Sequence, residues 1–182
     1  MFRIVFLLVT LLFSANNFAS IIMGNAHGTI SLTEVYDYQC IHCHRMFPIV
    51  SKLIENHPEL KVKLMPVAIL NETSLPEAAA AIAATEIPGR FQLLNEVMMS
   101  GQPLSDTQFH QVLMFLGLNN PSFVSRMHGD DVKQQLSEGI KLLKTYHSQS
   151  VPFFIIKNNH KTILLKGEQS YNKLEQGISH DI

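Results

Sequence analysis

Apolar and polar positions alternate with a period of two across Ile30–Tyr36, which predicts a strand. Ile30, Leu32, Glu34 and Tyr36 fall on one face, and Ser31, Thr33 and Val35 on the other. After Cys43 the period lengthens to that of a helix. Phe47, Val50 and Ile54 form one stripe with Leu53 beside it, Pro48 predicts a kink, and Asn56-His57-Pro58 ends the run. Alternation returns over residues 60–67, where Val62 and Leu64 interleave with Lys61 and Lys63. From there to about Tyr146 the signals are helical. Ser74-Leu75-Pro76-Glu77 reads as a capping box with proline in the first turn, ahead of the alanine-rich stretch 78–84. Pro88 opens a helix closed by Gly101, and Ser105-Asp106-Thr107-Gln108 is a second capping box for a helix ending at Gly117. Asn120-Pro121 starts a short helix, and Asp130 or Asp131 a longer one. The chain then returns to an apolar strand at 153–157, a turn at Asn158-Asn159, a strand at 161–165 and a closing helix at Tyr171–Ile178. Neither a linker nor a repeat interrupts this order. The expectation is an α/β fold in one domain over residues 20–182, with an all-helical subdomain inserted at about 74–147. Its helices carry no motif, and Met98, Met99, Met114 and Phe115 are expected in the core.

Before that domain, Met1-Phe2-Arg3 is a short basic start and residues 4–13 are almost continuously apolar, broken only by Thr10. Small and polar residues follow up to Ala19-Ser20. This layout predicts a secretory signal peptide over residues 1–19, because the apolar run is about half of the ~20 residues that a membrane span needs. Composition adds exclusions. At 182 residues, 46% hydrophobic and 16% charged, the chain is globular, and a net charge of −1 with no basic run gives no footing for nucleic acid. The nine histidines are scattered, and most of them, His44 included, are read as surface residues.

Export changes the meaning of the two cysteines, Cys40-Ile41-His42-Cys43. A bridge between residues three apart restrains almost nothing, so the pair points to chemistry rather than architecture. Only a thiolate is a nucleophile, and Cys40 at a helix N-terminus meets unpaired N–H groups and the positive end of the dipole. His42, when cationic, adds to that field. Cys43, one turn further in, is placed to resolve a mixed disulfide. Glu34 shares the apolar face, either as a strand-edge carboxylate turned to water or as a buried carboxyl that moves protons on and off Cys43. Cys40-Ile41-His42-Cys43-His44 also matches the C-x-x-C-H pattern of c-type haem attachment. A haem site has no need of a strand running into the motif, and zinc lacks a second ligand pair.

The element order, the CxxC on a strand-to-helix turn, the run Glu34-Val35-Tyr36-Asp37-Tyr38-Gln39-Cys40 and Val151-Pro152 ahead of an apolar strand together resemble the DsbA-like branch of the thioredoxin superfamily. The likeness covers residues 29–178. It implies a thioredoxin fold (strand–helix–strand, then hairpin–helix) with a helical insertion, and a periplasmic protein disulfide oxidase that needs no cofactor. Cys40 and Cys43 would be its redox pair, with His42 stabilising the thiolate and Glu34 as the acidic residue six positions before the first cysteine. The Val151-Pro152 bond would be cis and, with Ile41, would meet the substrate. Ile41 stands where such oxidases usually have proline, while valine before Pro152 resembles the oxidase pattern. Reductases and isomerases share the scaffold. The isomerases carry an N-terminal dimerisation region, for which residues 19–30 leave no room, so a monomer is expected. The expected partners are reduced secreted proteins and a DsbB-like inner-membrane protein that reoxidises the pair.

Overall fold

The computed structural model describes residues 21–158 and 160–179; the expected signal peptide over residues 1–19 and Asn159 of the expected turn lie outside them. Five strands form one sheet: β1 (Ile21–Gly24), β2 (Ile30–Tyr36), β3 (Leu60–Pro66), β4 (Phe153–Lys157) and β5 (Thr162–Lys166). Their order is β1-β3-β2-β4-β5, with β2 and β3 parallel and the other pairs antiparallel. The parallel pair requires a crossover, and α1 (Ile41–Asn56) supplies it. Five helices then intervene before β4: α2 (Ser74–Ala84), α3 (Arg90–Met99), α4 (Asp106–Phe115), α5 (Pro121–Met127) and α6 (Asp130–Thr145). Helix α7 (Tyr171–Ile178) closes the chain.

The period of two sorts β2 as the sequence implies. Ile30, Leu32, Glu34 and Tyr36 are buried, and Glu34, Tyr36 and Leu64 of β3 share a small cavity with Phe47, Val50 and Ile54 of α1. Helix α7 lies on this face too, for a side chain at Gly177 would strike Ile156 of β4. Across the sheet, α6 covers the C-terminal end of β3, where a Cβ on Gly139 would lie 2.6 Å from Val67. The insertion is joined to the end of β2 by buried polar groups. Asn95 of α3 accepts hydrogen bonds from the hydroxyls of Tyr38 (2.7 Å) and Tyr36 (3.3 Å).

Several local expectations are met. Ser105 and Gln108 form a reciprocal capping box on α4, and Asn120 caps α5 with Pro121 in its first turn. Others need correction. Strand β1 carries no alternation that would announce it, yet Ile21 is buried and Ile21–Gly24 extends the sheet beside β3. Ser74 and Glu77 form no capping box. The cap of α2 is Thr73, and Asn71 Oδ1 instead accepts from the N–H groups of Thr73 (3.0 Å) and Ser74 (3.2 Å). Met98 and Met99 are core residues, but Met114 and Phe115 are exposed, Phe115 to 87%. They sit at the solvent-facing end of α4, whose buried residues are Phe109 and Leu113.

Candidate functional site

The site is built where β2 gives way to α1. The helix begins at Ile41, two residues before the helical pattern in the sequence, and this makes Cys40 its N-cap. The intervening turn is held by Asp37. Its backbone carbonyl accepts from Cys40 N–H (3.0 Å), one carboxylate oxygen from Gln39 N–H (2.9 Å), and the other from Ile69 N–H (2.8 Å). The Cys40 carbonyl accepts the first helical bonds, from Cys43 (2.9 Å) and His44 (3.1 Å). The two thiols are not joined. Cys43 is fully buried, and Cys40 is 6% exposed at the surface.

This placement drives the two cysteines apart electrostatically. Hydrogen bonding from Cys43 does most to bring the Cys40 thiol down to about 6, overcoming its own desolvation. The N–H groups of Cys43 and His42 and the His42 charge act in the same direction. Burial pushes the Cys43 thiol far above its ordinary value, and its bond to Cys40 and the charge of Glu34 push it further. Glu34, 4% exposed and with Oε1 unpartnered, is the buried carboxyl and not the strand-edge one. Desolvation, and secondarily the Cys40 charge, raises it to about 8.

His42 is exposed, and its Nδ1 lies 2.8 Å from Glu168 Oε2, which also accepts from Arg45 at 3.2 Å. Those bonds hold the Glu168 carboxyl below the usual range. No sequence signal marks Glu168 or Arg45, since the loop before α7 and the exposed side of α1 are ordinary places for charge. His44 corrects the reading of it as a surface residue. With α1 starting at Ile41, its ring turns inward, is buried, and donates from Nε2 to the Tyr38 carbonyl at 2.6 Å.

Val151 and Pro152 arrive from the far end of the insertion. Their peptide bond is cis, and the Val151 carbonyl accepts from Cys40 Sγ at 3.6 Å, across 111 residues of sequence. Beside them lies a surface groove of about 330 Å³ whose walls include Cys40, Ile41, His42, Val151 and the exposed Ile69 and Leu70, while Pro152 follows Val151 without lining it. Of the residues expected at the site, Cys40, Ile41, His42 and Val151 share this groove, and Glu34 and Cys43 are buried within reach of the Cys40 charge. A haem does not fit them. Cys43 has no exposed sulfur to carry a thioether, and His44 Nε2 is engaged with Tyr38. Among the described residues no group of three or more His, Cys, Asp or Glu side chains could hold a metal ion.

The thioredoxin family profile matches residues 16–179. The thiol:disulfide interchange protein DsbA of Burkholderia cepacia is 23% identical over 145 residues, 74% of this chain, and the chain spans 66% of that relative's length. A thioredoxin-like oxidoreductase from Silicibacter pomeroyi superposes with a TM-score of 0.79 at 22% identity, covering 87% of this chain and 90% of its own. A periplasmic thioredoxin-like protein from Salmonella enterica serovar Typhimurium does so at 0.76 and 22% identity, covering 90% of each. With its parallel β2–α1–β3 unit, its antiparallel β4–β5–α7 unit and this match over most of its length, the chain belongs to the thioredoxin family, and its helical insertion gives it the DsbA-like form of the fold.

Proposed function

We propose that the protein is a thiol:disulfide oxidoreductase that works as a dithiol oxidase, giving its Cys40–Cys43 disulfide to reduced proteins exported to the periplasm. The observation that carries this reading is the division of the two thiols, Cys40 depressed to about 6 at a helix N-terminus and Cys43 buried and raised. A substrate thiolate attacks Cys40 Sγ of the disulfide. The S–S bond breaks, a mixed disulfide forms, and Cys43 leaves as a thiolate that must take a proton. Glu34, protonated at neutral pH because it titrates at about 8, is the nearby acid. A second substrate thiol then attacks the substrate sulfur and expels Cys40 as a stable thiolate. The substrate is oxidised by two electrons, and Cys40 and Cys43 are left reduced.

The same pKa sets the direction. Relative to an ordinary cysteine, a Cys40 titrating at about 6 stabilises the reduced form by about 1.4 kcal/mol at pH 7, which makes the disulfide about 30 mV more oxidising. His42 contributes by its charge. Ile41 and Val151 form the surface the substrate meets, with the cis bond to Pro152 setting the course of the chain there and the Val151 carbonyl offering an acceptor to an extended segment. A DsbB-like inner-membrane partner reoxidises the monomer. Equilibration with glutathione tests the reading. A potential above about −180 mV is the expected result, and a value near −270 mV would make the protein a reductase instead.

A further inference from the structure

The helix that leads the insertion is almost all alanine from residue 78 to residue 84, yet it carries a fully buried carboxyl at Glu77. Nothing in the packing of such a helix calls for a carboxyl. Its Oε1 has no partner, and burial of an unpartnered polar oxygen works against stability. Its other oxygen is engaged. Gln39, the residue before Cys40, donates from Nε2 to Glu77 Oε2 at 2.9 Å and to the Leu104 carbonyl at 2.9 Å, while its Oε1 accepts from Asn71 Nδ2 at 3.0 Å. Asn71 lies in the loop ahead of α2 and accepts from the N–H groups of Thr73 and Ser74 at its start, and Ile69 and Leu70 just before it are the apolar wall of the groove. One amide thus links the turn that presents Cys40 to the loop that lines the groove, and the Glu77 carboxyl is the buried end of that link.

We propose that Glu77 is a positioning residue for thiol–disulfide exchange, holding Gln39 and through it the Asn71 side of the groove at a set distance from Cys40. This rests on the oxidoreductase reading of Cys40 and Cys43. Asp37 grips the backbone of the same turn and of Ile69, so the side chain of Gln39 is the second of two ties between them. The carboxyl also gives the tie a dependence on pH. Desolvation lifts Glu77 to about 7, the bond from Gln39 opposes the rise, and the charge of Asp37 adds to it. Other titratable groups near α2 include Tyr38, on which the Glu77 charge acts, and His128 and Lys133, which border a pocket with Leu75 and Ala79. Above pH 7 the bond to Gln39 is charge-assisted and stronger, and below it the bond becomes an ordinary one.

The test uses the oxidised protein and a reduced peptide carrying two cysteines, following single-turnover reduction of the Cys40–Cys43 disulfide against peptide concentration. Glu77→Ala is expected to raise the half-saturating concentration about fivefold, the worth of one net hydrogen bond. The limiting rate should change less than twofold, and the alkylation midpoint of Cys40 should stay at about 6. Gln39→Ala should match it, and the double variant should be no worse than either alone. Glu77→Gln keeps the acceptor, so its half-saturation should stay within twofold of the unaltered protein at pH 6. The ratio between the two should grow from pH 6 to pH 8. Additive single effects, a flat ratio or an unchanged half-saturation in Glu77→Ala would each overturn the proposal. A second measurement is independent of activity, namely amide hydrogen exchange at Gln39 and Cys40, expected to quicken about fivefold in Glu77→Ala. Equal exchange overturns the positioning role, whereas quickened exchange in a protein that never oxidises the peptide overturns only the oxidoreductase reading.

Discussion

Glu34 shows how much the burial of a single carboxyl can cost a fold. Its folded pKa of about 8 lies above the ordinary 4.5, so the folded state prefers the neutral acid. The stability this represents is complete below pH 4.5 and is lost as the pH rises through 8, because the unfolded chain ionises first. At pH 7 the penalty is roughly 3 kcal/mol. Glu34→Gln, nearly the same shape and never charged, should therefore melt well above the unaltered dithiol protein at pH 8 and together with it near pH 4. Under the proposed mechanism it should also lack an acid for Cys43, slowing release of Cys43 on substrate attack by about 10²-fold. Thermal melts across that range and stopped-flow reduction of the disulfide check the two halves. A variant no more stable at pH 8 would mean that the carboxyl is solvated. Two further carboxyls near the motif act differently. Asp37 has both oxygens satisfied by backbone N–H groups, and Glu168 is an exposed partner for His42 and Arg45.

At the scale of elements, legibility depended on how far a residue's neighbours in sequence are also its neighbours in space. β2, β3 and α7 declare themselves through their own periodicity, and Ser105 and Asn120 cap their helices within three residues, so local pattern was enough. The four residues of β1 are too few to alternate and owe their conformation to pairing with β3. Glu77 misled for a related reason. Its spacing from Ser74 satisfies the capping pattern, but its actual partner, Gln39, lies 38 positions away on another element. The placement of Cys40 and Cys43 on the strand-to-helix turn and the cis Val151-Pro152 bond beside Cys40 were legible because strand, turn and proline each leave a mark in sequence. Glu168, placed only by a loop, left none.

The junction of α1 and α7 carries a prediction of its own. His57 caps the C-terminus of α1 and bridges Glu59 (3.1 Å) and Glu175 of α7 (2.9 Å). Burial pulls its pKa down, but the bonds to Glu175 and Glu59 outweigh this and leave it raised. A raised imidazole contributes stability that is complete below about 6.5 and is lost as the pH rises through the folded value. His57→Gln should accordingly destabilise the protein by about 1 kcal/mol more at pH 5.5 than at pH 8. Urea titrations at the two pH values measure it, and an equal loss at both would show that the ring only fills space.

For the whole molecule, the sheet order is what turns distant segments into one site. Placing β2 between β3 and β4 brings the Cys40 turn, the Asn71 loop and Val151 to the same edge. Energy placed at that edge is shared with the fold, so redox state and stability are linked. Cys40 titrates at about 6 when folded and near 9 when unfolded, a depressed pKa. Its contribution is therefore present at alkaline pH and is lost as the pH falls through 6. The disulfide form has no thiolate and gains nothing from it, and closing a loop of so few residues restrains the unfolded chain little. The dithiol protein should thus gain on the disulfide protein as the pH rises, by about 1.4 kcal/mol at pH 7 relative to pH 5 and below. For a domain of this size that is a shift of roughly 3–6 °C in Tm between the two redox forms. Paired calorimetric scans at pH 5, 6, 7 and 8, with Cys40→Ser as the reference that cannot ionise, separate this effect from general pH sensitivity. A difference between the two forms that stays constant from pH 5 to pH 8 would remove the thiolate as the source of oxidising strength, and with it the physical argument for the oxidase direction.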